Sequence, residues 1–201
     1  MRKIILALIF ACCTLSLGAQ EGVPVDFKGD RPTISDFARA YFVDAVDEDD
    51  CIDEASNSVK QAFIRNEQGL PQEEGVTITV DEKNGFLLYE SRYDDYLSRI
   101  EMCFWNEADK KHKLFAYNVR GFFGGKYSPG QFDVMLFYRY DNASKRMTMC
   151  DAPGFEVMYS EDGAWISYDL PRTGKDITVN YWYDDGTRKQ KTLKWNGRRF
   201  F

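Results

Sequence analysis

A single histidine and two carboxylates on strand-like segments are the side chains best suited to acid–base chemistry. His112 is the only histidine in the chain, and a catalytic triad or a zinc site needs several further groups around it. Glu101 and Asp133 are out of phase with the apolar residues of their strands, and glycoside hydrolysis needs two such acids facing a cleft. We expect His112 to be exposed and inert, and the acids to pair with arginines such as Arg99 or Arg139. The sequence therefore predicts no catalytic residue.

An acidic run at 44–54 contains the carboxylate oxygens that calcium prefers. An EF-hand loop that began at Asp47 would, however, have Ile52 where the motif needs glycine and Ser58 where it needs glutamate. The acids are better explained as groups that favour the positive N-terminal end of a helix. We therefore predict no metal site.

The glycine-rich segment Gly121–Lys126 has some features of a phosphate-binding loop. Its outer glycines are one residue too close together, and Tyr127 stands where the motif needs Ser or Thr for magnesium. We predict no nucleotide and no other cofactor. The segment is expected to connect two strands, and Phe122 and Phe123 make it a candidate ligand loop.

Aromatic residues are the most informative signal for binding. Trp182 and Trp105 both fall out of phase with the apolar residues of their strands. Exposed aromatic rings among polar groups can stack on a sugar or anchor a protein partner. A second packed layer that covers these rings is the alternative. Trp165 and Trp195 fit the apolar phase of their strands and are expected in the core.

Two helices precede the strands. Apolar residues at helical spacing predict the first helix, namely Ile34, Phe37, Ala38, Tyr41, Phe42 and Ala45. Thr33 or Ser35 can cap this helix. A second helix is predicted to begin at Asp49 or Asp50 and to end near 66–69, ahead of a proline.

Residues with period-two alternation follow, separated by turn pairs such as Asn84-Gly85. The predicted strands are 76–81, 86–89, 100–104, 113–119, 132–140, 146–151, 155–159, 164–170, 176–183 and 189–195. Short connections join antiparallel neighbours, so the strands form a meander. About ten strands should curl into a barrel or split into two packed layers. The fold class is α+β, in one domain at 32–201.

The first nineteen residues read as a cleavable signal peptide. Arg2 and Lys3 precede an apolar stretch, and small residues end at Ala19, where we place the cleavage. Lipid anchoring through Cys12 or Cys13 is an alternative that their flanking residues disfavour. A polar leader at 20–31 follows, and no transmembrane segment is predicted in the mature chain, which should be periplasmic or extracellular.

The mature chain is acidic and has few cysteines. The whole sequence has 26 basic and 32 acidic residues, a net charge of −6, and loss of the signal peptide with its two basic residues makes it −8. Such a protein is a poor partner for nucleic acid. Cys51, Cys103 and Cys150 leave at least one thiol unpaired, and the pairing stays open.

The absence of recognisable catalytic and cofactor motifs points away from an enzyme. The function predicted is a non-catalytic binding or interaction protein of the bacterial envelope, whose partner is a protein or a glycan. The candidate binding residues are Trp105, Trp182, Phe122 and Phe123. A carrier of a small apolar ligand inside a curled sheet is the alternative, followed by a carboxylate-dependent glycan hydrolase.

Overall fold

A computed structural model describes residues 22–44, 54–130, 133–156 and 162–201, with the backbone alone at 43–44 and 54–56. Helix α1 spans Ile34–Arg39 and continues as a π-helix over Ala40–Asp44, and α2 spans Glu54–Glu67. The described residues contain eleven strands: β1 (Val23–Pro24), β2 (Val76–Asp81), β3 (Phe86–Tyr93), β4 (Tyr96–Asn106), β5 (His112–Phe123), β6 (Lys126–Tyr127), β7 (Val134–Asp141), β8 (Arg146–Met149), β9 (Trp165–Asp169), β10 (Ile177–Trp182) and β11 (Arg188–Leu193).

The strands form two antiparallel sheets. The large sheet has eight strands in the order β1-β8-β7-β5-β4-β3-β2, with β6 paired to the end of β5, and the small sheet has the order β11-β10-β9. The prediction of a large antiparallel meander in a broadly α+β chain is confirmed. The predicted strand at 155–159 lies largely outside the described residues, and its first two residues are not in a strand.

The helices pack on one face of the large sheet. Thr33 caps α1 as predicted, because its hydroxyl accepts a bond from the Asp36 backbone while the Asp36 carboxylate accepts one from the Thr33 backbone. One core cluster joins helix and sheet residues, namely Ile34, Phe37, Ala38, Val59, Phe63, Leu87, Ile100, Met102, Phe115 and Tyr140. The start predicted for the second helix lies outside the described residues.

The small sheet packs on the opposite face and buries a second cluster. Its members are Phe86, Cys103, Trp105, Leu114, Ala116, Phe137, Ile177, Val179, Leu193, Trp195 and Phe200. The central strands of the large sheet therefore have apolar side chains on both faces. Trp195 is buried as predicted, whereas the prediction for Trp165 is wrong, because this side chain is 54% exposed.

The N-terminal segment predicted as a polar leader is partly built into the fold. Val23 and Pro24 pair with Met147 and Arg146 of β8, and Val25 is buried. The predicted signal peptide and its two cysteines lie outside the described residues. Among the helices of the described ranges, none is both long enough and apolar enough to cross a membrane.

Candidate functional site

Two tight turns lie side by side at one end of the large sheet. Asp94 and Asp95 join β3 to β4, and Gly124 and Gly125 join β5 to β6. Two-residue hairpin turns of this kind need positive φ, and the values are 50° at Asp94, 56° at Gly124 and 78° at Gly125. The Gly124 amide donates to the Asp95 carbonyl at 3.0 Å. This bond fixes the two turns against each other.

Three exposed aromatic side chains stand at the base of these turns. Tyr93 is directly opposite Tyr96, and Tyr96 is directly opposite Phe123. Residues directly opposite each other project from the same face of a sheet. Tyr93 is 78% exposed, Tyr96 43% and Phe123 61%. We call these three residues the aromatic strip.

The aromatic strip lies on the same face of the large sheet as the helices. Farther along the strands, Tyr89, Ile100 and Val119 occupy the corresponding positions on that face, and they contribute to the core beneath the helices. Gly121 gives Tyr96 room to lie across β5, because a Cβ there would stand 2.6 Å from the tyrosine oxygen. The partial burial of Tyr96 raises the pKa of its hydroxyl.

Phe122 projects to the opposite face because successive residues of a strand alternate. It is buried, and its ring centroid lies 6.2 Å from that of Trp182 and 5.9 Å from that of Tyr127. Trp182 is half-buried, with its indole N–H bonded to Ser167 Oγ at 2.9 Å. The Arg188 guanidinium covers the ring at 4.6 Å. The structure thus brings two predicted residues together, away from Phe123.

Trp105 is not at the surface, contrary to the expectation of an exposed ring. It is 4% exposed, and its ring centroid lies 5.4 Å from that of Phe200 in an edge-on contact. Its indole N–H donates to the Lys175 carbonyl at 2.8 Å. The small sheet covers the face of β4 on which Trp105 lies. This is the alternative in which a second packed layer covers the ring.

Glu101 belongs to a polar joint between the two sheets, which we define as Glu101, Asn118, Arg120 and Asp169. Nη2 of the buried Arg120 lies 2.5 Å from Oε1 of Glu101, and Nη1 contacts Asp169. Asn118 donates to the Tyr168 carbonyl at 2.8 Å, and the Leu170 amide donates to Glu101 at 2.8 Å.

These bonds satisfy two backbone groups at the edge of β9, which among the described strands pairs with β10 alone. Burial raises the pKa of Glu101 against the lowering effect of Arg120. Arg99, one of the two arginines expected to pair with Glu101 or Asp133, instead bonds Glu90. A carboxylate held in this way supports the sheet packing and has no access to a substrate.

Asp133 is half-buried near Tyr127, to which it is hydrogen-bonded. Burial raises the pKa of its carboxyl against the lowering effect of the hydrogen bond from Tyr127. Arg139, the other predicted partner, makes two bonds of 2.7 Å to Glu107 instead. The two carboxylates considered for hydrolysis are therefore both partly or fully removed from solvent.

His112 is half-buried and in contact with other side chains, contrary to the expectation of an exposed residue. Its Nδ1 lies 2.6 Å from Asp109 and 3.2 Å from Arg139, and the histidine contact lowers the pKa of Asp109 to about 2. Ligand atoms of Glu107, Asp109 and His112 lie within 4.8 Å of one another. The guanidinium of Arg139 already occupies both oxygens of Glu107, so this group is an ion-pair cluster.

The glycine-rich segment does not form a phosphate loop, because β5 continues through Phe123 and only Gly124 and Gly125 make the turn. The acidic run considered for calcium lies mostly outside the described residues.

Cys103 and Cys150 are both free thiols. Cys103 is opposite Ala116, which is opposite Phe137, and the Phe137 carbonyl accepts a bond from the Cys150 amide. Three strand spacings separate the two cysteines by about 14 Å. A disulfide needs Cα atoms within about 7 Å, so this pair cannot form one. Cys51 lies outside the described residues.

The two tyrosines of the aromatic strip were missed in the sequence because only out-of-phase tryptophans and the Phe122-Phe123 pair were considered. The available signal was Tyr93-Asp94-Asp95-Tyr96, a two-residue turn flanked by aromatics. No protein-family model matches the chain, and no curated protein or solved structure is significantly similar to it.

Proposed function

We propose that the protein is an exported, non-catalytic binding protein that takes a glycan chain on the aromatic strip. The observation that carries this proposal is the cross-strand alignment of three exposed rings, Tyr93, Tyr96 and Phe123. Adjacent strands are about 4.8 Å apart, so the three positions extend about 10 Å across the sheet. A sugar ring has an apolar C–H face that can lie on such rings.

Polar groups beside the rings supply hydrogen bonds for sugar hydroxyls. Asp94 and Asp95 are exposed in the turn between the two tyrosines. The rings can hold a sugar by contact area, while these side chains select among hydroxyl arrangements.

The size of the aromatic strip favours a glycan over a protein partner. With about 200 Å² for each ring, the exposed fractions of Tyr93, Tyr96 and Phe123 correspond to about 360 Å² of accessible aromatic surface. A stable protein interface takes about 800 Å² from each partner. The strip alone is about half that size, which suits a ligand of a few sugar units.

Export is the part of the proposal that rests on the sequence alone. The positive residues Arg2 and Lys3, the apolar stretch and the small residues before Ala19 are typical of a signal peptide. An acidic chain outside the cytoplasm would encounter envelope and environmental glycans. Nucleic acid is disfavoured as its partner by the net charge of −6.

Isothermal titration calorimetry of the purified protein against soluble hexasaccharides tests the proposal. The panel comprises the β-1,4-glucan, chitin, xylan, starch and mannan hexamers. We expect saturable binding of at least one. Tyr93→Ala and Phe123→Ala should each weaken it tenfold or more, which corresponds to about 1.4 kcal/mol.

Phe201→Ala is the matched control, since Phe201 is 62% exposed and Phe123 is 61% exposed. It should bind like the parent protein. Absence of binding to the whole panel, or equal affinity of the Phe123→Ala variant, would contradict a glycan site on the strip. If cross-linking captures a native protein partner that the Phe123→Ala variant does not bind, the aromatic strip is a protein interface and not a glycan site.

A further inference from the structure

Two neighbouring cavities lie at the end of the large sheet opposite the aromatic strip. The Trp195 cavity has a volume of 430 Å³ and the Tyr140 cavity one of 450 Å³, and Arg31, Pro32 and Lys113 line both. Lys113 is directly opposite Asn106, ten residues along β4 from Tyr96. That separation is about 34 Å, so the cavities are independent of the proposed glycan surface.

The walls of these cavities are strongly basic in a chain whose net charge is −6. The Trp195 cavity is lined by Lys83 and Lys175, and the Tyr140 cavity by Lys110 and Lys145, in addition to the two shared cations. Among the described residues, each cavity has one acid on its wall, Glu82 or Asp30. Glu82 is already engaged, because it accepts bonds from the Ile34 amide and the Ser35 hydroxyl at the start of α1.

The burial of Lys113 distinguishes these cavities from an ordinary solvated basic surface. It is only 6% exposed, and lysines buried to this extent are normally paired with an acid. Its ammonium contacts the Asn106 side-chain oxygen and lies 5.0 Å from the Phe104 ring. Among the described residues no carboxylate is within ion-pairing distance of it. An ammonium has three donors, and these contacts use one.

Two further buried polar atoms on the cavity walls have no partner. The indole N–H of Trp195 and the hydroxyl of Tyr140 are hydrogen-bonded to none of the described residues. Trp195 is 6% exposed and Tyr140 is fully buried. Leaving such groups unbonded costs free energy that a bound acceptor would recover. The Trp195 cavity is therefore lined by a buried lysine and by a buried tryptophan whose indole N–H has no partner among the described residues, and both groups can donate to an anion.

We propose that the Trp195 cavity binds a small molecule with an anionic group, with Lys113 and Trp195 as its donors. Arg31, Lys83 and Lys175 add positive charge at the same cavity. The volume lies within the range of small-molecule sites. A carboxylate, a phosphate and a sulfate share the required chemistry, a compact oxygen acceptor that carries negative charge.

Titration of the purified protein with sodium phosphate, sulfate, citrate and glucuronate tests this site. Each titration is run at the same ionic strength against sodium chloride, so that screening is constant. Tryptophan fluorescence reports on the cavity through Trp195, and calorimetry gives the stoichiometry. We expect one-to-one saturable binding of at least one probe. Binding of citrate or glucuronate alone identifies a carboxylate ligand, and binding of phosphate or sulfate a tetrahedral anion.

Lys113→Met removes the ammonium and keeps most of the stem, and it should weaken binding at least tenfold. Lys191→Met is the control, because Lys191 is exposed on β11 and lines neither cavity. Trp195→Phe, measured by calorimetry, tests the indole donor even if the lysine variant fails to fold. Saturation by none of the probes, or unchanged affinity in both the Lys113→Met and Trp195→Phe variants, would overturn the proposal.

Discussion

Replacing Arg120 by methionine should separate the energetic role of the polar joint from that of the apolar layers. The Arg120 side chain is 2% exposed and serves both Glu101 and Asp169. Methionine fills much of the same volume but cannot pair with either acid. Glu101 then remains buried, with its bonds from the Leu170 amide at 2.8 Å and the Asn118 amide at 3.4 Å.

Loss of one member of a buried ion pair costs about 3–5 kcal/mol, because the remaining charge is uncompensated. For a domain of this size each kcal/mol lowers Tm by about 2–4 °C. We therefore expect Arg120→Met to lower Tm by about 10 °C. Adding Glu101→Gln should recover about half of this loss, since glutamine can still accept the Leu170 amide and brings no unpaired charge.

Urea denaturation at pH 7 and pH 5 tests the electrostatic origin of the effect. Burial holds the pKa of Glu101 above its ordinary value of 4.5, and removal of Arg120 raises it further. An acid whose pKa is raised in the folded state favours folding at low pH, and this contribution is lost as the pH rises through the folded pKa. The destabilisation by Arg120→Met should therefore be smaller at pH 5 than at pH 7.

A loss below about 1 kcal/mol would refute the reasoning, since it would fall in the range of exposed ion pairs. The same conclusion would follow if the loss were equal at both pH values. In either case an uncompensated charge on Glu101 would not be the cause of the destabilisation.

The remaining predictions concern the backbone and the thiols. Gly154→Ala should lower the free energy of unfolding by about 3 kcal/mol, because φ is 73° and a Cβ would stand 2.2 Å from the Phe200 carbonyl oxygen. Gly124→Ala, at φ 56° with open space around it, should cost about 1 kcal/mol; equal losses in urea would contradict this. Cys103 should resist a thiol reagent until unfolding and Cys150 should react slowly, since burial raises the pKa of both; a peptide map that linked them would contradict the strand register.

The strand pattern was predictable because alternation reports directly on which residues share a face. Ile100 and Met102 share one face of β4, and Cys103 and Trp105 share the other. The sequence could not say what covers each face. Both are covered, one by helices and one by the small sheet, and this long-range packing buried Trp105.

Trp165 shows how a choice of phase changes the interpretation of a whole strand. The sequence assigned Trp165 to the buried face of its strand, whereas Ile166 and Tyr168 are the side chains that pack against the core. A shift of one residue moves every side chain to the opposite face. Trp165 is therefore exposed, although its strand was placed correctly.

The residues of both sites are brought together by strand pairing, which the sequence does not specify. Tyr93 and Tyr96 are close in sequence, but Phe123 joins them through the pairing of β4 with β5. Likewise, Lys113 lies in a lysine-rich segment that predicts exposure, yet Arg31 and the end of β4 enclose it. Neither the alignment of the three rings nor the enclosure of Lys113 follows from local spacing.

Hydroxyl-radical footprinting with a bound hexasaccharide tests the central claim most directly, because it reports the exposure of each aromatic side chain. We predict that saturating ligand lowers the oxidation rates of Tyr93, Tyr96 and Phe123 while those of Trp165 and Phe201 stay unchanged. Protection confined to Trp165, or unchanged rates at all three residues of the strip, would contradict the assignment of the aromatic strip as the binding surface.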